Sequence, residues 1–392
     1  MNILVLDQFS DPGGAQLCLM DLIPEMMRRG WRPRIMAPDN GELVQWCTRA
    51  SVPTDPMPLR RYSNGRKTAA DLMRFSIDGP RMAAAVRRIV HRERMDLVYV
   101  NGPRVLSAAI GLPCPVVFHA HSVAGGAWIR KLVAWMLRGA DATVIMASDY
   151  VAENLRVGLG PGKIRTIYNG VADLQSGIRR FQRQPVRVGI LGRIAPEKGH
   201  LDFVQAAKQI AKAGGDAKFF VYGERLFSDS DYDAQVRALA RNAPVTFCGW
   251  TNDIAESLRS VEILTVPSGP NEAATRVIME AFSAGTPVVA YRSGGIPELA
   301  EHGRTGILTE TANGGSLASG IRMLMDDPEL MKRLSAAGRI EWQQRFRVER
   351  FRNEVCDLLE EATEPARRFS PASQQFSSGP TPSATTTGMR SE

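Results

Sequence analysis

Two carboxylates, Glu272 and Glu280, stand with seven residues between them within the stretch PSGPNEAATRVIMEAFSAGTPVVAYRSGGIPELAEHGRTGIL, which runs from Pro267 to Leu308. A strand-like run, Val261 to Val266, precedes it. Residues 274–284 have a helical pattern, and Pro287 to Tyr291 is again strand-like. The first carboxylate therefore falls in a loop at the carboxyl end of a strand, and the second falls in the helix that follows. Eight residues of helical rise cover roughly 12 Å, about the length of a hexose joined through a diphosphate to a ribose. One glutamate could touch a sugar while the other holds ribose hydroxyls.

Two cations, Arg193 and Lys198, bracket a proline turn in GRIAPEKG, between a strand-like run, Val186 to Leu191, and a helix from about His200 to Ala213. Guanidinium, ammonium and helix-end amides together suit a diphosphate. Two exposed surface cations are the plainer alternative. At the amino terminus the same unit occurs: strand Asn2 to Leu6, a loop carrying Gly13-Gly14, then an amphipathic helix over about Gln16 to Arg29. The glycine pair permits close approach of a ligand to the backbone. Neither GxGxxG nor a Gly-Lys-Ser/Thr phosphate loop is present. A strand from Pro115 to His119 leads into Ala120-His121, and either histidine could reach a cleft at that strand end. The segment Asp229 to Asp233 holds overlapping Asp-x-Asp pairs that could bind a divalent metal, but Asp and Ser are also favoured at a helix cap, and the cap is the preferred reading.

The elements that must position these groups alternate strand and helix. Further strands are expected at Arg34–Ala37, Leu97–Asn101, Thr143–Ile145, Ile164–Ile167, Lys218–Tyr222 and Val245–Phe247. Residues 172–185 are polar and aperiodic and read as a linker, after which the α/β pattern restarts. Helices cover about 312–361. From 363 to 392 the chain is rich in Ser, Thr, Pro and Gln and is expected to be disordered.

A length of 392 residues suggests two domains. Apolar residues make up 44% and charged residues 23%, and no apolar run reaches the roughly 18 residues of a membrane span. The opening MNILVLDQFS lacks a basic leader, so a cytoplasmic protein is expected. The five scattered cysteines form no CxxC and read as buried small hydrophobes. Charge is uneven: up to Val171 there are 22 Lys and Arg against 14 Asp and Glu, and thereafter 27 against 27. The basic half suits anionic lipid, a phosphorylated acceptor or nucleic acid; solvated helix faces are the plain alternative. Residues 58–95 are basic and interleaved with Leu72, Phe75, Ile77, Met82, Val86 and Ile89, and Trp128 to Leu137 forms a helix with two tryptophans beside Arg130, Lys131 and Arg138. Both suit a membrane surface.

Taken together, Glu272-x7-Glu280, Gly285-Thr286-Pro287-Val288-Val289-Ala290, Gly294-Gly295-Ile296-Pro297-Glu298, Gly192-Arg193 with Lys198-Gly199, and Tyr168-Asn169-Gly170-Val171 resemble the large retaining glycosyltransferase family, family four, group 1, of GT-B fold. The resemblance runs from residue 1 to about 361. It implies two Rossmann-like, doubly wound domains facing across a cleft: an acceptor-binding domain over 1–171, a nucleotide-sugar domain over 186–345, and a final helix over 346–362 packing back on the first. It also implies that Arg193 and Lys198 bind the diphosphate, Glu280 the ribose, and Glu272 the sugar ring, with His121 near the reacting carbon and Gly14 close to the donor. The donor is then a UDP- or GDP-sugar used as substrate, with no metal or other cofactor, and the acceptor a hydroxyl of a lipid-linked or polysaccharide intermediate. Where the family loop usually reads Gly-Phe-Gly, this chain has Ala273-Ala274-Thr275-Arg276.

The leading expectation is a retaining glycosyltransferase at the inner face of a membrane, with no nucleic-acid partner. A sugar phosphorylase or nucleotide-sugar epimerase on the same fold is the first alternative. A non-catalytic nucleotide-sugar or nucleic-acid binder is the second, and the set Arg193, Lys198, Glu272 and Glu280 argues against it.

Overall fold

The computed structural model describes residues 1–11, 13–38, 40–60, 69–122, 126–155, 161–174, 181, 184–225, 230–251, 253–310 and 312–364; of 69–76, 154, 161 and 230 it describes the backbone alone. Most of the linker 172–185, the whole of 365–392 and Asp229 lie outside the described residues.

The strands are β1 (Asn2–Asp7), β2 (Arg32–Ala37), β3 (Thr54–Pro56), β4 (Leu97–Asn101), β5 (Val116–Ala120), β6 (Thr143–Met146), β7 (Ile164–Thr166), β8 (Val186–Leu191), β9 (Ala217–Tyr222), β10 (Val245–Gly249), β11 (Ile263–Val266), β12 (Val288–Tyr291) and β13 (Ile307–Thr309). The helices are α1 (Gly14–Arg28), α2 (Glu42–Arg49), α3 (Ala69–Arg92), α4 (Ala127–Gly139), α5 (Asp149–Leu155), α6 (His200–Lys212), α7 (Ser230–Ala240), α8 (Ile254–Arg259), α9 (Arg276–Ala284), α10 (Ile296–Leu299), α11 (Gly314–Asp326), α12 (Pro328–Glu341) and α13 (Val348–Thr363).

The strands build two sheets. The first has the order β3-β2-β1-β4-β5-β6-β7 and the second β10-β9-β8-β11-β12-β13. Every strand pair is parallel. In each sheet the order reverses beside the first strand, β1 or β8, and loops at the carboxyl ends of the strands on either side of that reversal form a crevice. Apolar runs such as Ile3-Leu4-Val5-Leu6 and Ile263-Leu264 are buried, as strands covered on both faces require. The three-residue strands β3 and β13 are absent from the sequence expectation; too short to show a period, they are fixed by ladders to β2 and β12.

Helix α3 corrects part of the membrane expectation. Met82, Val86 and Ile89 are at most 5% exposed and belong to the core under the first sheet. They are core residues with basic neighbours outward, the plain alternative. Ile77 is exposed, and the side chains of Leu72 and Phe75 lie outside the description.

The chain crosses between the sheets twice at one place. Val171 accepts from Val348 N at 3.1 Å and donates to Phe346 O at 2.9 Å. Helix α13 then lies on α1, its Phe351, Val355, Cys356 and Leu359 completing the core on the α1 side of the first sheet.

Candidate active site

The parallel register places Asp7 beside Asn101 at the carboxyl ends of β1 and β4. Asn101 Nδ2 donates to Asp7 Oδ2 at 2.6 Å and to Ala15 O at 3.4 Å; Phe9 N and Gln16 Nε2 donate to Asp7 Oδ1 at 2.9 and 2.8 Å. With its amide hydrogens committed there, Asn101 turns Oδ1 to His121, whose Nε2 donates across 2.8 Å. Burial raises the Asp7 carboxyl to about 6, against the pull of those hydrogen bonds. It lowers His121 to about 3, so this imidazole is neutral.

The strand ends at Ala120, between the two histidines. His119 is fully buried, faces Tyr99 OH at 2.5 Å and stacks on His121 with ring centroids 3.8 Å apart. Its pKa lies well below the ordinary value, through burial first and then His121. His121 is the less buried of the pair and lies at the crevice end. Its ring is turned to Asn101 and its Nδ1 is buried without a partner.

On the second sheet, β8 leads into a turn at Pro196–Lys198 and then α6. Gly199, at φ +72°, joins them, and a Cβ there would stand 2.1 Å from Pro267 O. That close approach brings the cation turn against the loop of the first glutamate. Lys198 Nζ lies 2.5 Å from Glu272 Oε2, both groups partly shielded. Arg193 instead pairs with its neighbour Glu197 at 3.1 Å and is more exposed. Glu280 is buried on α9 and accepts from Arg276 Nε at 2.8 Å.

The loop of Glu272 is fastened on both sides. Gly294 and Gly295 let it pass over the start of α10: a Cβ at these positions would stand 2.2 Å from Glu272 O and 1.8 Å from Ala273 O. From the first sheet, Ser148 Oγ donates to Ala273 O and Tyr150 OH to Pro270 O, both at 2.9 Å. Glu298 spans the same junction. Its carboxylate accepts from Asp149 N (2.8 Å) and Tyr150 N (2.6 Å), capping the first turn of α5, and from Tyr168 OH at 2.9 Å. A Cβ on Gly14 would meet nothing within 4 Å, so the first turn of α1 is open.

The structure thus joins Lys198 with Glu272, and gathers His121, Asp7 and Asn101 at one strand-end cluster. Asp7, Asn101 and Glu298 carry no role in the sequence reading. The signal available for the first two was their shared position at strand ends facing a glycine-rich loop. Among the described residues no group of three or more His, Cys, Asp or Glu is arranged to hold a metal ion. Asp233 pairs with Arg237 within α7.

Two doubly wound parallel sheets joined by a double crossing, with a cation turn and a glutamate loop at the junction, define a GT-B glycosyltransferase architecture. Family models match both halves: Glycosyltransferase Family 4 over residues 12–173 and Glycosyl transferases group 1 over residues 185–327. The chain belongs to this glycosyltransferase family. It is similar to the sulfoquinovosyl transferase SQD2 of Arabidopsis thaliana, 24% identical over 311 residues that cover 70% of this chain and 58% of that protein. The alpha-D-kanosaminyltransferase of Streptomyces kanamyceticus is 31% identical over 37% of this chain and 38% of its own. The matched parts thus span less than two thirds of these relatives. Among solved structures, Anabaena HepE in complex with UDP and glucose superposes with a TM-score of 0.76 at 24% identity, covering 92% of this chain and 99% of that one.

Proposed function

We propose that the chain transfers a hexose, with retention of configuration and without a metal ion, from a nucleotide sugar to a hydroxyl of a lipid-linked or polysaccharide acceptor. The observation that carries this is the meeting of Lys198 and Glu272, 74 residues apart in sequence, at 2.5 Å in the loops that follow β8 and β11. A lysine beside a glutamate at a helix start offers one group for a phosphate oxygen and one for sugar hydroxyls. The domain of the second sheet binds the donor and that of the first the acceptor. UDP bound to a structural neighbour supports a nucleotide donor.

In this reading Arg193 exchanges Glu197 for the diphosphate, and Lys198 shares its charge between Glu272 and a phosphate oxygen. Both offset the charge that grows on the leaving nucleoside diphosphate. Glu280 holds the ribose, Glu272 the sugar ring, and His121 lies near the reacting carbon. The acceptor oxygen forms its bond to the anomeric carbon on the face from which the phosphate oxygen departs, and the acceptor proton passes to that oxygen. The pair Glu272–Lys198 is an ion pair rather than a free nucleophile, which sets the site apart from two-carboxylate glycosidases. A lipid-linked acceptor also implies peripheral attachment to an anionic membrane, which the exposed face of α4 supports.

Glu280→Ala and Lys198→Ala are expected to lower transfer by about 100-fold or more; Lys198→Ala keeps a heat-unfolding midpoint close to the parent's, whereas Glu280→Ala, which takes a partner from Arg276, lowers it. Parental turnover in both variants would refute the assignment.

A further inference from the structure

Arg276 opens α9 four residues before Glu280, so one helical turn sets guanidinium beside carboxylate. Its reach does not end there. While Nε lies 2.8 Å from Glu280 Oε1, Nη1 lies 2.7 Å from Asp21 Oδ2 and 3.7 Å from Cys18 Sγ, both on α1 under the other sheet. Asp21 is anchored in turn, its carbonyl accepting from Arg352 Nε of α13 at 2.6 Å. The Arg276 side chain is 16% exposed. A guanidinium so far from water is tolerable only with close anionic partners, and removing one leaves the others unbalanced. One side chain therefore ties a glutamate of the second sheet to the first helix of the chain.

We propose that Arg276 is a positioning residue for the ribose of the donor: it engages Oε1 of Glu280 and sets Oε2 toward the ribose hydroxyls, and its hold on Asp21 makes that setting depend on α1 being docked against α9. The proposal rests on the reading of Glu280 as the ribose clamp. Alone, a glutamate on a helix has several rotamers, of which only some suit two adjacent hydroxyls. The guanidinium fork selects one. Because the other prong grips α1, whose first turn faces the crevice, nucleotide engagement and docking of the two sheets favour each other.

The test is calorimetric binding of UDP and GDP and of their 2′-deoxy forms to the full chain. The parent is expected to prefer one ribonucleotide over its 2′-deoxy form by about tenfold. In Arg276→Leu that ribonucleotide binds about tenfold more weakly and the preference falls to within twofold; Arg276→Lys, whose single ammonium cannot grip both carboxylates, lies between. Asp21→Asn shifts affinity in the same direction by a smaller factor. The proposal is overturned if Arg276→Leu keeps the parent's preference, whether or not both nucleotides weaken, or if the parent itself shows none. Glu280→Ala with undiminished affinity would instead refute the ribose clamp. Should the leucine variant lose its cooperative unfolding transition, the same measurements on Arg276→Lys decide.

Discussion

Asp7 is fully buried, with its carboxyl raised to about 6, and that has a measurable consequence. In an unfolded chain this carboxyl titrates near 3.9. The folded protein therefore binds the proton more tightly. This contribution to stability is complete below about pH 4 and is lost as pH rises through about 6. Relative to the parent, Asp7→Asn should gain unfolding free energy across that window, on the order of 2–3 kcal/mol, with no further change above it. Urea unfolding of both proteins at pH 4, 5, 6 and 7 reads this directly, and a pH-independent difference would contradict it. His121, lowered to about 3 by burial, stays largely neutral across the window, and burial lowers His119 as well. Asp7 was not legible as a site residue because its meaning lies in register: only the pairing of β1 with β4 brings Asn101 to its side. Arg276 was visible as a departure from the family loop, but its partners on α1 stand more than 250 residues away. Lys198 and Glu272, by contrast, each followed a strand-like run and were legible from position.

The glutamate loop and the turn Gly294-Gly295 form one device. The carbonyls of Glu272 and Ala273 lie where a Cβ would be on each glycine. Gly295→Ala must displace that loop, and with it the Lys198–Glu272 contact. The expected outcome is a loss of about 1–3 kcal/mol in stability together with weaker donor binding. Thermal unfolding and nucleotide titration of the variant check this; an unchanged midpoint and unchanged affinity would mean the loop does not depend on the turn. Long elements were legible because their apolar runs or periods exceed four residues. The helix after Glu272 starts at Arg276, two residues later than its pattern suggests, since Thr275 is extended and serves as its cap position. Helix ends are set by such local backbone choices, which composition does not show.

For the whole molecule, the asymmetry of charge has a surface to act on. On α4, Trp128, Leu132 and Trp135 are 58%, 38% and 57% exposed, and at about 100° per residue they fall within a 60° stripe. Lys131 and Arg138 are exposed beside it, and the helix contains no acidic residue. No described helix is long and apolar enough to cross a membrane. A stripe rimmed by cations and centred on indoles is what the proposed attachment to an anionic bilayer requires. Joint replacement Trp128→Ala and Trp135→Ala should weaken co-sedimentation with vesicles of mixed neutral and anionic phospholipid by about tenfold, leave neutral-vesicle controls at background, and keep the unfolding midpoint. Equal sedimentation of parent and variant would dismiss this face.

The double crossing at Val171 and Phe346–Val348 also sets the order in which the molecule can be finished during synthesis. Residues 1–167 are made before the second sheet, but the core on the α1 side of their own sheet stays incomplete until Phe351, Val355 and Leu359 leave the ribosome. The second sheet, made in between, needs none of those residues for its own strands. Of the two sheets, the one translated first is therefore the one whose core is completed last.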